Sequence, residues 1–170
     1  MEGNRKTEMK DQPPVVRPPL ADTAAALHVQ GFNCSQAVFS TLAEPLGLDR
    51  STALKIASPF GGGIGRTGET CGAVTGALMA LGLQLGFNEL DTDAEDRRSA
   101  KERVYALARE FMHRFQERHG ALACKALIGI DLSTPAGLQK AREQAVFKTK
   151  CTQFITGAIE IAYEMLTKNQ

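Results

Sequence analysis

The sequence has no excess of charge of either sign: 20 Lys and Arg stand against 19 Asp and Glu in 170 residues. Without a basic field there is no electrostatic footprint for nucleic acid, and without an acidic one nothing draws a cationic partner. No C-x-x-C pair occurs, which removes the zinc-ribbon and thioredoxin spacings. The N-terminus has neither an apolar h-region nor paired arginines, so the expected compartment is the cytoplasm. Neither a repeat nor a convincing strand pattern is found, which points to an all-α chain. The length suits one domain with a real core and is short for two.

Charge is missing locally as well, since residues 70–88 contain no Asp, Glu, Lys or Arg. Such a segment reads as the buried central helix of a bundle. Gly72, Gly76 and Ala80 recur at i, i+4 and i+8, a stripe that lets another helix approach closely and leaves a homodimer open. The segment is about as long as a bilayer span. Its four glycines, Thr75 and Gln84 dilute its apolarity, and the other helices are amphipathic, so no membrane span is expected.

Before that helix lies a glycine-rich loop, residues 61–68 (GGGIGRTG), followed by Glu69, Thr70 and Cys71. Thr70 is a good N-cap, which would put Cys71 in the first turn, where unpaired N–H groups and the helix dipole favour a thiolate. The loop fits G-x-G-x-x-G, with Glu89 at a dinucleotide-like distance, but a Rossmann unit needs a strand on each side, and residues 57–60 make a poor one. It also has Walker A spacing with Glu69 where the phosphate-binding Lys belongs, and a carboxylate there would repel phosphate. A tight turn that lets the backbone pass close to a neighbour or a bound cluster is the better reading. Arg66 could offset cluster charge, and Glu69 could pair with Arg66 or cap the helix.

Residues 1–19 are polar and carry Pro13, Pro14, Pro18 and Pro19, the composition of a disordered tail; residues 20–170 form the single helical domain. Asp22 caps a short helix that Gly31 ends. Asn33 and Gln36 have capping-box spacing, with Cys34 at the first helical position, and Pro45 with Gly47 closes that helix. Asp49 or Ser51 opens another, with Leu54, Ile56 and Ala57 inward and Pro59 as its stop. Residues 92–95 (TDAE) form a capping box for a long helix to about His119, whose Ala100, Val104, Leu107, Ala108, Phe111 and Phe115 follow a 3.6-residue period. One or two turns carry Cys124, Pro135 starts a helix to about Phe147, and Thr149 caps the last. The expected architecture is an all-α bundle of about six or seven helices around the Gly/Ala-rich central one. His28, His113 and His119 lack metal-type spacing and read as surface residues.

Cys34, Cys71 and Cys151 each fall in the first turn of an expected helix, and Cys124 lies early in a short one. Several helix starts converging could hold four thiolates, an arrangement suited to a metal or iron–sulfur site. For a lone cysteine the alternative is a small buried hydrophobe.

The four separated cysteines, with residues 71–76 (CGAVTG) at the core, resemble the C-GCAxxG-C-C family of redox-active proteins. The NCSQAV stretch at residues 33–38, the loop at 61–68, Glu69, Cys124 before LIGID at 127–131, and Cys151 support the likeness, which covers roughly residues 25–165. The resemblance implies a helical domain in which Cys34, Cys71, Cys124 and Cys151 hold an iron–sulfur cluster, [2Fe–2S] being favoured, with Arg66, Glu69 and Gly72 around them and a redox partner protein of unknown identity. Alternatives are a dithiol/disulfide oxidoreductase, with Cys71 as the low-pKa nucleophile, and a structural zinc module. A related domain in split-Soret cytochromes is associated with such a cluster, but this chain has no C-x-x-C-H motif, so a haem role does not carry over.

Overall fold

A computed structural model describes residues 20–88 and 94–168. Eight α-helices occur among them: α1 (Leu20–Val29), α2 (Cys34–Ala43), α3 (Arg50–Ala57), α4 (Gly72–Leu85), α5 (Ala94–His119), α6 (Cys124–Ile128), α7 (Pro135–Glu143) and α8 (Lys150–Lys168). Single 3-10 turns at Glu44–Leu46 and Ser58–Phe60 follow α2 and α3, each with a proline near its start. The only pairing outside helices, among the described residues, is an isolated antiparallel bridge between Thr70 and Ala123. The chain is thus all-α. None of the described helices is long and apolar enough to cross a membrane.

The local signals act largely as their chemistry predicts. Asn33 accepts the Gln36 N–H at 3.0 Å while the Gln36 side chain accepts the Asn33 N–H at 3.1 Å, a complete capping box. Gln36 also donates to the Leu54 carbonyl at 3.0 Å, tying the start of α2 to α3. Asp49 caps α3 through the Thr52 N–H, and Thr134 caps α7 through the Gly137 N–H. Gly31, Gly47, Gly120 and Gly129 take positive φ where helices or turns end.

The core is built on α4. Its small stripe faces α2: a Cβ on Gly76 would lie 2.8 Å from the Ser35 carbonyl, so only glycine permits this spacing. Helix α4 also packs against α8, and α8 against α1 and α5. Phe111 and Phe115 of α5 are fully buried, with Ile155, Ile159 and Met165 of α8. The far end of α4 emerges from the core, with Gly82 and Leu83 exposed.

Four local expectations are corrected. Ile56 points outward and Ala53 takes the inward position, because the eight-residue α3 turns Ala53 and Ala57 onto one face. Helix α7 ends at Glu143 and not near Phe147; Ala145, at φ 51°, turns the chain, and Val146 N–H returns to the Ala141 carbonyl. Thr149 donates its hydroxyl back to the Ala145 carbonyl, in the turn before α8, in place of the expected cap. The helix after the glycine loop starts one residue late, with Cys71 itself at the N-cap. The expected tail, residues 1–19, and the capping residues Thr92 and Asp93 lie outside the described residues.

Candidate functional site

All four cysteines are buried, free and at helix starts. Cys34 is the first residue of α2, Cys71 the N-cap of α4, Cys124 the first residue of α6 and Cys151 the second of α8. The glycine loop gathers them. Residues 62–66 form five consecutive left-handed positions with φ between 59° and 71°, including Ile64 and Arg66, which have no glycine freedom. The coil closes on itself through Gly65 N–H to the Pro59 carbonyl (2.8 Å), Gly68 N–H to Gly62 (3.2 Å) and Glu69 N–H to Gly63 (3.2 Å). Its exit pairs with the segment entering α6: Cys71 N–H donates to Leu122 (2.8 Å), Cys124 N–H to Glu69 (2.7 Å) and Lys125 N–H to Gly68 (3.0 Å). Two cysteines distant in sequence are thereby fixed on adjacent strands of backbone. A Cβ on Gly63 would lie 2.8 Å from that of Cys124.

Gly72 brings in the third cysteine. A Cβ there would meet the Phe60 carbonyl and the Ser35 N–H at 3.0 Å and the Cys34 Sγ at 3.1 Å, so the missing side chain seats α4 directly against the Cys34 sulfur. The Cys34 and Cys71 sulfurs are hydrogen-bonded. Cys34, Cys124 and Cys151 line a cavity of about 740 Å³, while Cys71, in contact with Cys34, is not on its wall.

The sulfurs are electrically inequivalent. The hydrogen bond from Cys71 draws Cys34 down to about 6 against the opposing effect of burial, with help from the Gly62 N–H and from His28. Cys71 is pushed well up, because it is the donor to that sulfur and is buried beside its charge. Burial and then the Cys34 charge raise Cys124 to about 12, and burial followed by the Cys34 and Cys124 charges raises Cys151 as well. The expectation of Cys71 as the low-pKa thiol is therefore reversed. Its own N–H is spent on Leu122, so the helix start offers less than the first-turn placement predicts, and Cys34 collects the donors.

His28, read from sequence as a surface residue, is half-buried on this cavity. Its Nδ1 lies 2.8 Å from the Phe32 carbonyl and its Nε2 3.0 Å from the Phe147 carbonyl. A carbonyl only accepts, so neutral imidazole satisfies one of these oxygens and imidazolium both. The sequence signal that could have found it is position: the last turn of the helix that runs into Cys34. His113 is exposed beside Glu117 at 3.3 Å, and His119 is half-buried against Phe115 and Phe154. Arg66 and Glu69 are both exposed; Arg66 lines the cavity mouth, and no ion pair joins the two among the described residues. Arg142, Phe32 and Phe147 also line the cavity, and nothing in their spacing announces it.

Four soft sulfur donors, three on the cavity wall and Cys71 against Cys34, are the right kind of set for an iron–sulfur group, whose metal would ionise thiols that otherwise suppress one another's ionisation. Among the described residues, no three His, Cys, Asp or Glu side chains stand so as to hold a single ion.

The family model described as "Putative redox-active protein (C_GCAxxG_C_C)" matches residues 32–165, from just before Cys34 to the last turn of α8. No curated protein and no solved structure matches the chain. With its four cysteines spanned by that match, the chain belongs to the C_GCAxxG_C_C family of redox-active proteins.

Proposed function

We propose that the protein carries electrons through one iron–sulfur cluster, a [2Fe–2S] group in the first instance, ligated by Cys34, Cys71, Cys124 and Cys151. The convergence of four cysteines from separate segments, three on the wall of one cavity and Cys71 against Cys34, with Cys71, Cys124 and Cys151 each raised by the charge of another thiol, is the observation that supports it. The cluster supplies one-electron exchange when bound. The chain supplies the ligands, the Gly62 N–H directed at Cys34, and burial that keeps water from the sulfurs. Backbone donation to a ligating sulfur and burial are levers by which a protein tunes such a centre.

The Cys34–Cys71 hydrogen bond favours a second reading, a dithiol/disulfide oxidoreductase. Cys34 thiolate would attack an external disulfide and release one thiolate as leaving group; Cys71, once deprotonated, would then attack Cys34 of the mixed disulfide and release the second. The pair gives up two electrons and two protons, and the external disulfide becomes two thiols. A single structural zinc ion would need the sulfurs drawn closer together than they stand here.

Anaerobic purification followed by near-ultraviolet and visible absorption, with iron, sulfide and zinc analysis, separates the three. Charge-transfer bands with matching iron and sulfide, lost in each single Cys→Ser variant, are the expected result. A protein that stays colourless after reconstitution and reversibly forms a Cys34–Cys71 disulfide would replace the cluster with the dithiol pair, and zinc alone would indicate the structural role.

A further inference from the structure

We infer that the cavity above the cysteines is a binding site for a small organic anion, a carboxylate or phosphate carried on an apolar body. The inference rests on the reading above only in taking this cavity as the working face of the thiols. At about 740 Å³ the cavity falls in the range that takes a whole small molecule. Its charged lining is one-sided: Arg66 and Arg142 reach it from the glycine loop and from α7, beside the His28 ring of α1, and no Asp or Glu among the described residues lines it. In a chain with 20 basic and 19 acidic residues, that is a local departure from balance.

Among the described residues, neither guanidinium is engaged elsewhere. The four ion pairs found join His113 to Glu117, Arg114 to Glu164, Arg118 to Glu160 and Lys125 to Asp131, so Arg66 and Arg142 have no carboxylate partner among the described residues. A guanidinium fork matches a carboxylate or phosphate with two parallel hydrogen bonds. Apart from Asn33, Ser58 and the three thiols, the remaining side chains of the wall are apolar, with Phe32, Phe147, Leu132 and Leu138 supplying a surface for the body of the ligand. Arg66 also lines an adjoining cleft of about 370 Å³ that shares Gly65, Leu132 and Leu138 with the main cavity, so this residue borders both spaces.

The test is calorimetric binding of 1-naphthoate, 1-naphthyl phosphate and the neutral 1-naphthalenemethanol to the full chain purified without oxygen, before and after metal reconstitution. At least one anion should bind and the neutral compound bind about tenfold more weakly, with a similar loss for Arg66→Gln and for Arg142→Gln. Lys140→Gln, an exposed cation on α7 outside the cavity lining, should bind as the parent does. A stronger response to the phosphate than to the carboxylate would assign the anion type within the proposal. Equal binding of the neutral compound, unchanged binding in both arginine variants, or no binding at all would overturn it. Because the readout is heat of binding, absence of a cluster would defeat the electron-transfer reading and leave this result standing, and the reverse holds equally.

Discussion

At the scale of single residues, the four cysteines differ by what surrounds each sulfur. Cys34 receives a thiol hydrogen bond, a backbone N–H and a nearby imidazole, whereas Cys124 and Cys151 are buried with little to offset their charge. In reduced, metal-free protein the alkylation rate of Cys34 should therefore rise through about pH 6, while the other three react only at far higher pH. Removing the donor in Cys71→Ala should move that midpoint up towards the ordinary thiol value of 9.0, read by mass spectrometry of iodoacetamide-treated samples. His119 offers a second pH signature. Burial, and then the charge of Arg118, hold it below its usual 6.5, and its buried Nε2 has no hydrogen-bond partner among the described residues. As pH falls through 6.5, the unfolded chain takes up this proton before the folded one does, so stability falls with falling pH in that window. Urea unfolding at about pH 7.5 and about pH 5.5 should show the loss, and His119→Phe should reduce it.

At the scale of elements, the glycine loop stores the strain that the helices do not. Ile64 is exposed at φ 59°, where a β-branched side chain costs about 1–2 kcal/mol. Ile64→Gly should stabilise the protein by up to about 1 kcal/mol, the relief of strain being partly offset by a freer unfolded chain. Gly63→Ala should do the opposite. The added Cβ would lie 2.6 Å from the Glu69 carbonyl and 2.8 Å from the Cys124 Cβ, so about 3 kcal/mol or more should be lost and Cys124 displaced. Chemical denaturation of the two variants beside the parent measures both. The helices themselves were largely legible: Asn33, Asp49 and Thr134 cap where their side chains permit, because a cap is settled within four residues. The left-handed coil was not legible, since five such residues in a row are held by bonds closing over five or six positions and by α6 packing against them.

At the scale of the whole molecule, the ligands of the proposed centre come from the starts of α2, α4, α6 and α8, so a bound cluster would tie four separate segments together. A ligand that binds only the folded state stabilises it according to its affinity. Reconstituted protein should therefore unfold at a higher temperature than the metal-free form, and each single Cys→Ser change should erase the difference in a thermal scan followed by circular dichroism. The core on which this rests is continuous with the site, the four cysteines belonging to the same buried cluster as Phe111 and Phe115. Phe111, fully buried between α5 and its neighbours, should cost about 3–5 kcal/mol on truncation to alanine. Metal content per folded molecule, measured on the soluble variant, should stay at the parent value.

Taken alone, the order of residues determined the all-α character, the close seating of α4 through Gly72 and Gly76, and the placing of each cysteine at or near a helix start. These depend on periodicity, caps and side-chain size, which act within a few turns of chain. Only the tertiary structure decided that the donors converge on Cys34 and not on Cys71, that His28 and Arg142 belong to the cavity, and that Arg66 faces it without pairing to Glu69. A thiol's ionisation follows the donors, charges and water within a few ångströms, and here those come from Gly62, Cys71 and His28, which only folding brings together.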